Sequence, residues 1–252
     1  MTTDDIAINA LRHYTACDVS DALLKLKVAN AGFIPDLSLY TTPDPSSPPA
    51  VVTVAPVSTV LFAPKSATPA ARPSNLPDPN IPKDVHWADL TQPDTLVVLQ
   101  QPPSQANAIC GGIMALRIKV LRAKGIVVAG RIRDLTELQS TGLPVWARGT
   151  STVGAGGGST PWATQVPLDI DGTAVAPGDL AVCDSVNGVV VIPGIGCGKS
   201  SSCFPSSLRL TIRPRRTLPR VCLSMRPSSN TEAICKTNKG RVVDRQSTLP
   251  YP

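Results

Sequence analysis

Gly130-Arg131-Ile132-Arg133-Asp134 follows an apolar run and precedes a helix-like stretch. In an α/β sheet, ligands gather beyond the carboxyl ends of strands. There an arginine is a fixed cation for an oxyanion, and an adjacent aspartate is a hard oxygen ligand for Mg²⁺ or Mn²⁺. Arg131 and Arg133 share a side if the strand continues, and Arg133 is nearer the carboxylate. The competing reading is an Asp134 that only caps the next helix, with Arg133 in solvent. A second group is Gly111-Gly112-Ile113-Met114, which opens a helix. Unpaired N–H groups at a helix N-terminus hold a carboxylate or phosphate, and glycine allows close approach. A turn required only for packing is the alternative.

Other candidates fall away. Gly194-Ile-Gly-Cys-Gly-Lys-Ser-Ser resembles a phosphate-binding loop, but Pro193 stands where glycine is needed and Ser-Ser-Cys-Phe-Pro cannot continue as a helix. The glycines of 154–158 read as a flexible loop. His13 and His86 are the only histidines and share no metal-ligand spacing with the cysteines, so zinc chemistry and a Ser-His-Asp triad lack support. The seven cysteines are odd in number and irregularly spaced, and read as reduced thiols.

Elements must position the two candidate groups. The pattern predicts helix over residues 5–29, with Asp18 or Ser20 capping a second helix from Asp21. A proline-broken loop covers 41–49. Residues 50–62 read as one or two strands, with Pro56 at an edge or bulge. Residues 64–83 form a second, long proline-rich loop, and 96–99 a buried strand. Residues 111–125 read as a helix whose core face is Ile113, Leu116, Val120 and Leu121, stopped by Gly125. A buried strand at 126–129, a short helix from 133 and a strand at 143–147 follow. Short strands are predicted at 165–170, 173–175, 180–183 and 188–193, with turns at Asp171-Gly172 and Pro177-Gly178-Asp179. This is the order of an α/β domain spanning 1–193.

The chain has 252 residues, 42% hydrophobic and 17% charged, with 26 prolines, which suits one core and few long helices. No apolar run reaches the ~18–20 residues of a membrane span. The acidic N-terminus has no secretory apolar region, so a cytoplasmic protein is expected. The net charge of +6 is uneven. Residues 1–193 carry 13 Lys+Arg against 16 Asp+Glu, whereas residues 194–252 carry 11 against 2. The basic character therefore belongs to a Ser/Arg/Pro-rich tail at 194–252. That tail reads as a disordered extension or as translation through an unspliced or shifted frame. It lacks interleaved aromatics, so no nucleic-acid partner is expected.

Six stretches then occur together and in order. They are Thr15-Ala-Cys-Asp-Val-Ser-Asp-Ala-Leu23, Gly111-Gly-Ile-Met-Ala115, Gly125-Ile-Val-Val-Ala-Gly-Arg-Ile-Arg-Asp134, Leu143-Pro-Val-Trp-Ala-Arg-Gly-Thr-Ser151, Pro177-Gly-Asp-Leu180 and Asn187-Gly-Val-Val-Val-Ile-Pro193. With them the chain resembles the RraA-like family, which contains 4-hydroxy-4-methyl-2-oxoglutarate aldolases, oxaloacetate decarboxylases and regulators of ribonuclease E activity. The resemblance implies a swivelling β/β/α fold, a homotrimer or homohexamer, and sites between subunits. It implies a metal-dependent lyase that releases pyruvate from a 2-oxo acid. The amides of Gly111, Gly112, Ile113 and Met114 would hold the substrate carboxylate, Arg133 its 2-oxo oxygens, and Asp134 a Mg²⁺ or Mn²⁺ ion. The alternative is a non-catalytic regulator that binds a ribonuclease. Aldolase members often carry an acid where this chain has Gly112, and the family's C-terminal helices have no counterpart here, which leaves the proton donor unassigned.

Overall fold

Apolar, β-branched runs dominate the chain between Val52 and Ile192, and they assemble into one large mixed sheet. The computed structural model describes residues 8–41 and 51–194, and the backbone of 208–213 and 220–225. The strands are β1 (Phe33–Ile34), β2 (Ser38–Leu39), β3 (Val52–Pro64), β4 (Leu96–Gln100), β5 (Ala108–Cys110), β6 (Gly125–Ile132), β7 (Val145–Thr150), β8 (Ser159–Thr164), β9 (Leu168–Ile170), β10 (Thr173–Val175), β11 (Leu180–Asp184) and β12 (Gly188–Ile192). The helices are α1 (Ala16–Lys25), α2 (Gly112–Val120) and α3 (Leu135–Ser140).

The sheet order is β1-β12-β11-β3-β4-β6-β7-β2, with β5 added to β6 and β8 to β3. Its centre, β3-β4-β6-β7, is parallel. There side chains are buried on both faces, so the strands read as continuous apolar runs. One face is covered by α2 and α3, which pack Ala115, Ile118 and Leu138 against Val97, Leu99, Ile126 and Val128. The other is covered by the β9–β10 hairpin through Leu168, Ile170 and Val175. At the antiparallel end, α1 buries Ala16, Val19, Ala22 and Leu23 against β11 and β12. The expected mixed α/β class is therefore observed.

Several local expectations are corrected. Thr15, not Asp18 or Ser20, caps α1: its hydroxyl accepts from the Asp18 amide and Asp18 accepts from the Thr15 amide. That is a reciprocal capping box. Pro56 is not at an edge. It lies inside β3, where the strand changes neighbours: residues 52–56 pair with β11, and 57–61 with β4. Gly125 does not end α2 but opens β6, because Arg122, at φ 68°, already turns the chain out of the helix. Strand β8 had no sequence signal, since Pro161 interrupts its pattern. The Asp171-Gly172 turn joins β9 and β10 as expected, with both residues at positive φ. Past residue 194, strands β13 (Leu208–Arg213) and β14 (Arg220–Met225) form an antiparallel pair in a segment expected to hold no regular elements. Most of the tail reading, and the Gly194–Ser201 loop beyond its first residue, lie outside the described residues.

Asp184 locks α1 to the sheet. It is buried, and it accepts from the Ala16 and Val186 amides at 3.2 and 2.9 Å and from the Asn187 side chain at 2.8 Å. Burial alone would raise its pKa, but these donors prevail and hold it below the usual carboxylate value. The stability it contributes is complete above the ordinary carboxylate pKa and is lost as pH falls through the lower, folded value. Asp179 opposes it, because burial raises its pKa despite donors from Ala176 and Gly194. Asp184→Ala should cost about 2 kcal/mol at neutral pH. In thermal melts the deficit should shrink toward acid, and a pH-independent deficit would remove the charge from the account.

Candidate active site

The two sequence groups meet beyond the carboxyl end of β6. Strand β5 pairs with β6 and leads into α2, so the chain turns at Gly111 beside the residues leaving β6. A backbone bond ties them together: the Arg133 amide donates to the carbonyl of Cys110, the residue before Gly111, at 3.0 Å. Gly111 is the N-cap of α2 and no side chain caps that end. Its leading N–H groups are thus available to an anion, and the helix dipole favours one.

Arg133 and Asp134 are exposed neighbours, with Arg133 Nε donating to Asp134 Oδ2 at 3.1 Å. Asp134 sits at the N-cap position of α3, yet its side chain makes no capping bond, which overturns the simple capping alternative. Its φ and ψ of 58° and 51° are left-handed. This conformation costs an aspartate about 1 kcal/mol, and Asp36, Asp84, Asp94 and Asp171 adopt it too. In Asp134 it aims the carboxylate back toward Gly111. A Cβ at Gly111 would lie 2.7 Å from Asp134 Oδ2, and one at Gly154 would lie 2.7 Å from Arg133 Nη1. Absent side chains at 111 and 154 therefore make room for the acid and the guanidinium.

These groups line a cleft of about 220 Å³. Gly111, Ile113, Met114, Arg133 and Asp134 contribute to it, joined by His86, Trp87, Cys110 and Ala155. Gly112 does not line it. Its α-carbon packs under α3, where a Cβ would meet Glu137 Cβ at 2.3 Å. Arg131 is placed elsewhere, donating to the Thr150 carbonyl. His86 and Trp87 follow the proline-rich loop and had no local signal. His86 Nδ1 accepts from the Ala88 amide at 3.2 Å, which leaves the neutral ring's proton on Nε2. Burial pushes the Cys110 thiol up to about 12, so it is no thiolate nucleophile at neutral pH.

Among the described residues no three His, Cys, Asp or Glu side chains gather as a metal cluster. Asp134 is the cleft's carboxylate, with one oxygen engaged by Arg133. That donor set does not suit zinc, which takes three or four protein ligands. It fits Mg²⁺ or Mn²⁺, which accept one carboxylate and complete their shell from water and ligand oxygens.

Gly154→Ala separates geometry from stability. Gly154 has φ −75°, which alanine adopts freely. The new methyl group would displace the flexible guanidinium and not backbone. The melting temperature should hold or rise, while turnover falls about 10–100-fold by misplacement. Unchanged turnover in the folded variant would show that Arg133 need not sit where it does.

One family model matches most of the chain. A model described as RraA-like, Aldolase/RraA, matches residues 16–191. A Halalkalibacterium halodurans protein named "Putative 4-hydroxy-4-methyl-2-oxoglutarate aldolase" is 34% identical over 101 residues, covering 40% of this chain and 47% of that one. An uncharacterized Methanocaldococcus jannaschii protein is 34% identical over 86 residues, covering 34% of this chain and 40% of that one. The chain thus matches less than half the length of these curated relatives. Among solved structures, an uncharacterized Pseudomonas syringae protein aligns with a TM-score of 0.59 at 25% identity, over 75% of this chain and 80% of that one. A Streptomyces coelicolor protein, described as an unusual member of the RNase ES inhibitor RraA family, aligns at 0.57 with 24% identity, over 74% and 83%.

Proposed function

The chain belongs to the RraA-like (Aldolase/RraA) family, and from that premise we propose that it is a lyase releasing pyruvate from a 2-oxo acid. The substrate would be 4-hydroxy-4-methyl-2-oxoglutarate, by aldol cleavage, or oxaloacetate, by decarboxylation, in the cytoplasm. The family holds both catalytic members and ribonuclease regulators. The observation that carries the enzyme reading is Asp134 paired to Arg133 within the same cleft as the uncapped start of α2.

In this reading the substrate carboxylate lies on the N–H groups at the start of α2. Arg133, seated by Gly154, presents its guanidinium to the 2-oxo oxygen. Bond cleavage leaves negative charge on that oxygen, and a preoriented cation nearby lowers the barrier. Asp134 keeps the guanidinium in place and is the residue that would hold a Mg²⁺ or Mn²⁺ ion. When bound, such an ion supplies Lewis-acid stabilisation of the same developing charge. No lysine is among the described residues that line the cleft, so an imine route finds no nucleophile among them. The decisive assay is pyruvate release from each acid, with Mg²⁺ and then with chelator. Chelator-sensitive release supports the reading. Its absence from a correctly assembled protein would favour the regulatory one, testable by binding to a ribonuclease.

Assembly belongs to the proposal. Ile113, Leu116 and Val120 form a stripe along α2 and are 79%, 53% and 63% exposed. Exposed apolar stripes of this kind mark protein contacts. Ile113 also lines the cleft, so a second copy on the stripe, as in the homotrimer or homohexamer implied by the family, would help close the site. Leu116→Glu should shift sedimentation toward monomer and lower turnover with it. A monodisperse assembly that survives the substitution would place the contact elsewhere.

A further inference from the structure

We propose that the protein has a second small-molecule site, beside Arg131 on β6 and separate from the Arg133 cleft, which binds the carboxylate of a short aliphatic acid. Its cleft, of about 290 Å³, is lined by Arg131, Arg148, the 102–106 loop and the backbone of Ala129 and Gly130. It shares no lining residue with the first cleft.

The site is built rather than incidental. Its inner wall is Gln101, which is buried. Gln101 Oε1 accepts from the Arg131 amide at 2.9 Å, and Nε2 donates to the Asn107 carbonyl at 2.6 Å. One side chain thus joins the end of β4, the start of Arg131 and the far end of the 102–106 loop. A Cβ at Gly130 would lie 2.3 Å from Gln101 Oε1, so the glycine makes room for this clamp. A β-bulge between Val128 and Arg131 re-aims the strand as it passes β7, and a Cβ at Gly149 would lie 3.0 Å from Arg131 Nη1.

Charge selects the ligand class. Among the described residues the cleft is lined by two arginines and no acid. Asp171 pairs with Arg148 at the margin, which leaves one positive charge uncompensated. Arg131 uses Nη1 on the Thr150 carbonyl, and Arg148 Nε, though buried, meets no acceptor among the described residues. A planar monoanion matches the fork geometry and the single net charge. Pro102, Pro103 and Ala129 offer apolar contact for a short carbon chain. A dianion would leave its second charge without a compensating cation, since Asp171 already pairs with Arg148.

Butyrate titration of the full-length assembled protein, at constant ionic strength and followed by calorimetry, tests the site, with sulfate as the competing anion. Saturable butyrate binding is expected. It should weaken at least tenfold in Arg131→Met and in Arg148→Met, and persist in Arg133→Met. Arg131→Lys should recover part of it if the variants remain folded, as judged by circular dichroism. Binding that is indifferent to Arg131 and Arg148, binding lost in Arg133→Met alone, or no saturation at all would each overturn the proposal. Tighter binding of sulfate than of butyrate with the same arginine dependence would overturn the carboxylate assignment.

Discussion

Replacing Asp134 by asparagine should abolish chelator-sensitive pyruvate release while leaving the fold intact. Asparagine tolerates the left-handed backbone that Asp134 adopts, so the substitution removes charge without adding strain. The side chain is partly exposed and caps nothing, so its loss should shift the melting temperature by no more than a degree or two. Activity is another matter. The carboxylate holds Arg133 in register and is the one carboxylate that the described residues offer a hard cation in the cleft. Removing both roles together should lower kcat/KM by about 10³-fold or more, the scale seen when a charge-stabilising group is lost. Turnover within tenfold of the parent would take Asp134 out of the chemistry. Asp134→Ala should show the same loss with an added penalty in stability, because alanine is disfavoured at positive φ.

Arg133→Lys is expected to cost about 10²-fold in turnover, although it preserves charge. The guanidinium spans two partners at once: Nε reaches Asp134, and the Nη1 end fills the space left by Gly154. An ammonium is a point charge on a flexible stem and cannot hold both directions. The division between constants is informative. If Arg133 acts mainly on charge that develops during cleavage, kcat falls and KM changes little; if it only binds the ground state, KM rises alone. Parental constants in Arg133→Lys would exclude any role for the fork.

Much of this site was legible from residue order, and its limits have specific causes. The Arg133–Asp134 pair and the Gly111–Met114 turn were readable because each sits at a strand-to-helix junction, where local pattern and ligand-binding geometry coincide. The helix α2 itself was found, but its orientation was misjudged. Ile113, Leu116 and Val120 were expected in the core, yet the sheet takes Ala115 and Ile118, and Gly112 packs under α3. The helix is apolar nearly all round, so periodicity does not choose a face. Small residues at 112 and 115 do choose it, by letting α3 and the sheet approach closely. Pro56 was misplaced for a related reason. A proline is excluded from a central strand only where its amide is needed, and β3 changes partners at that residue.

The amino-acid sequence by itself determined the mixed α/β class, the junctions at 111 and 133–134, and the family. These rest on local periodicity, turn chemistry and ordered motifs, which need no knowledge of distant contacts. Only the tertiary structure decided that the two junctions share one cleft, that His86 and Trp87 join it, and that Gly112 serves packing. It also decided that Arg131 turns to a separate cleft with Arg148. The physical reason is common to all of these. Strand pairing and the β-bulge beside Arg131 set which side chains converge, and such register is a property of neighbouring strands that no single stretch of sequence carries.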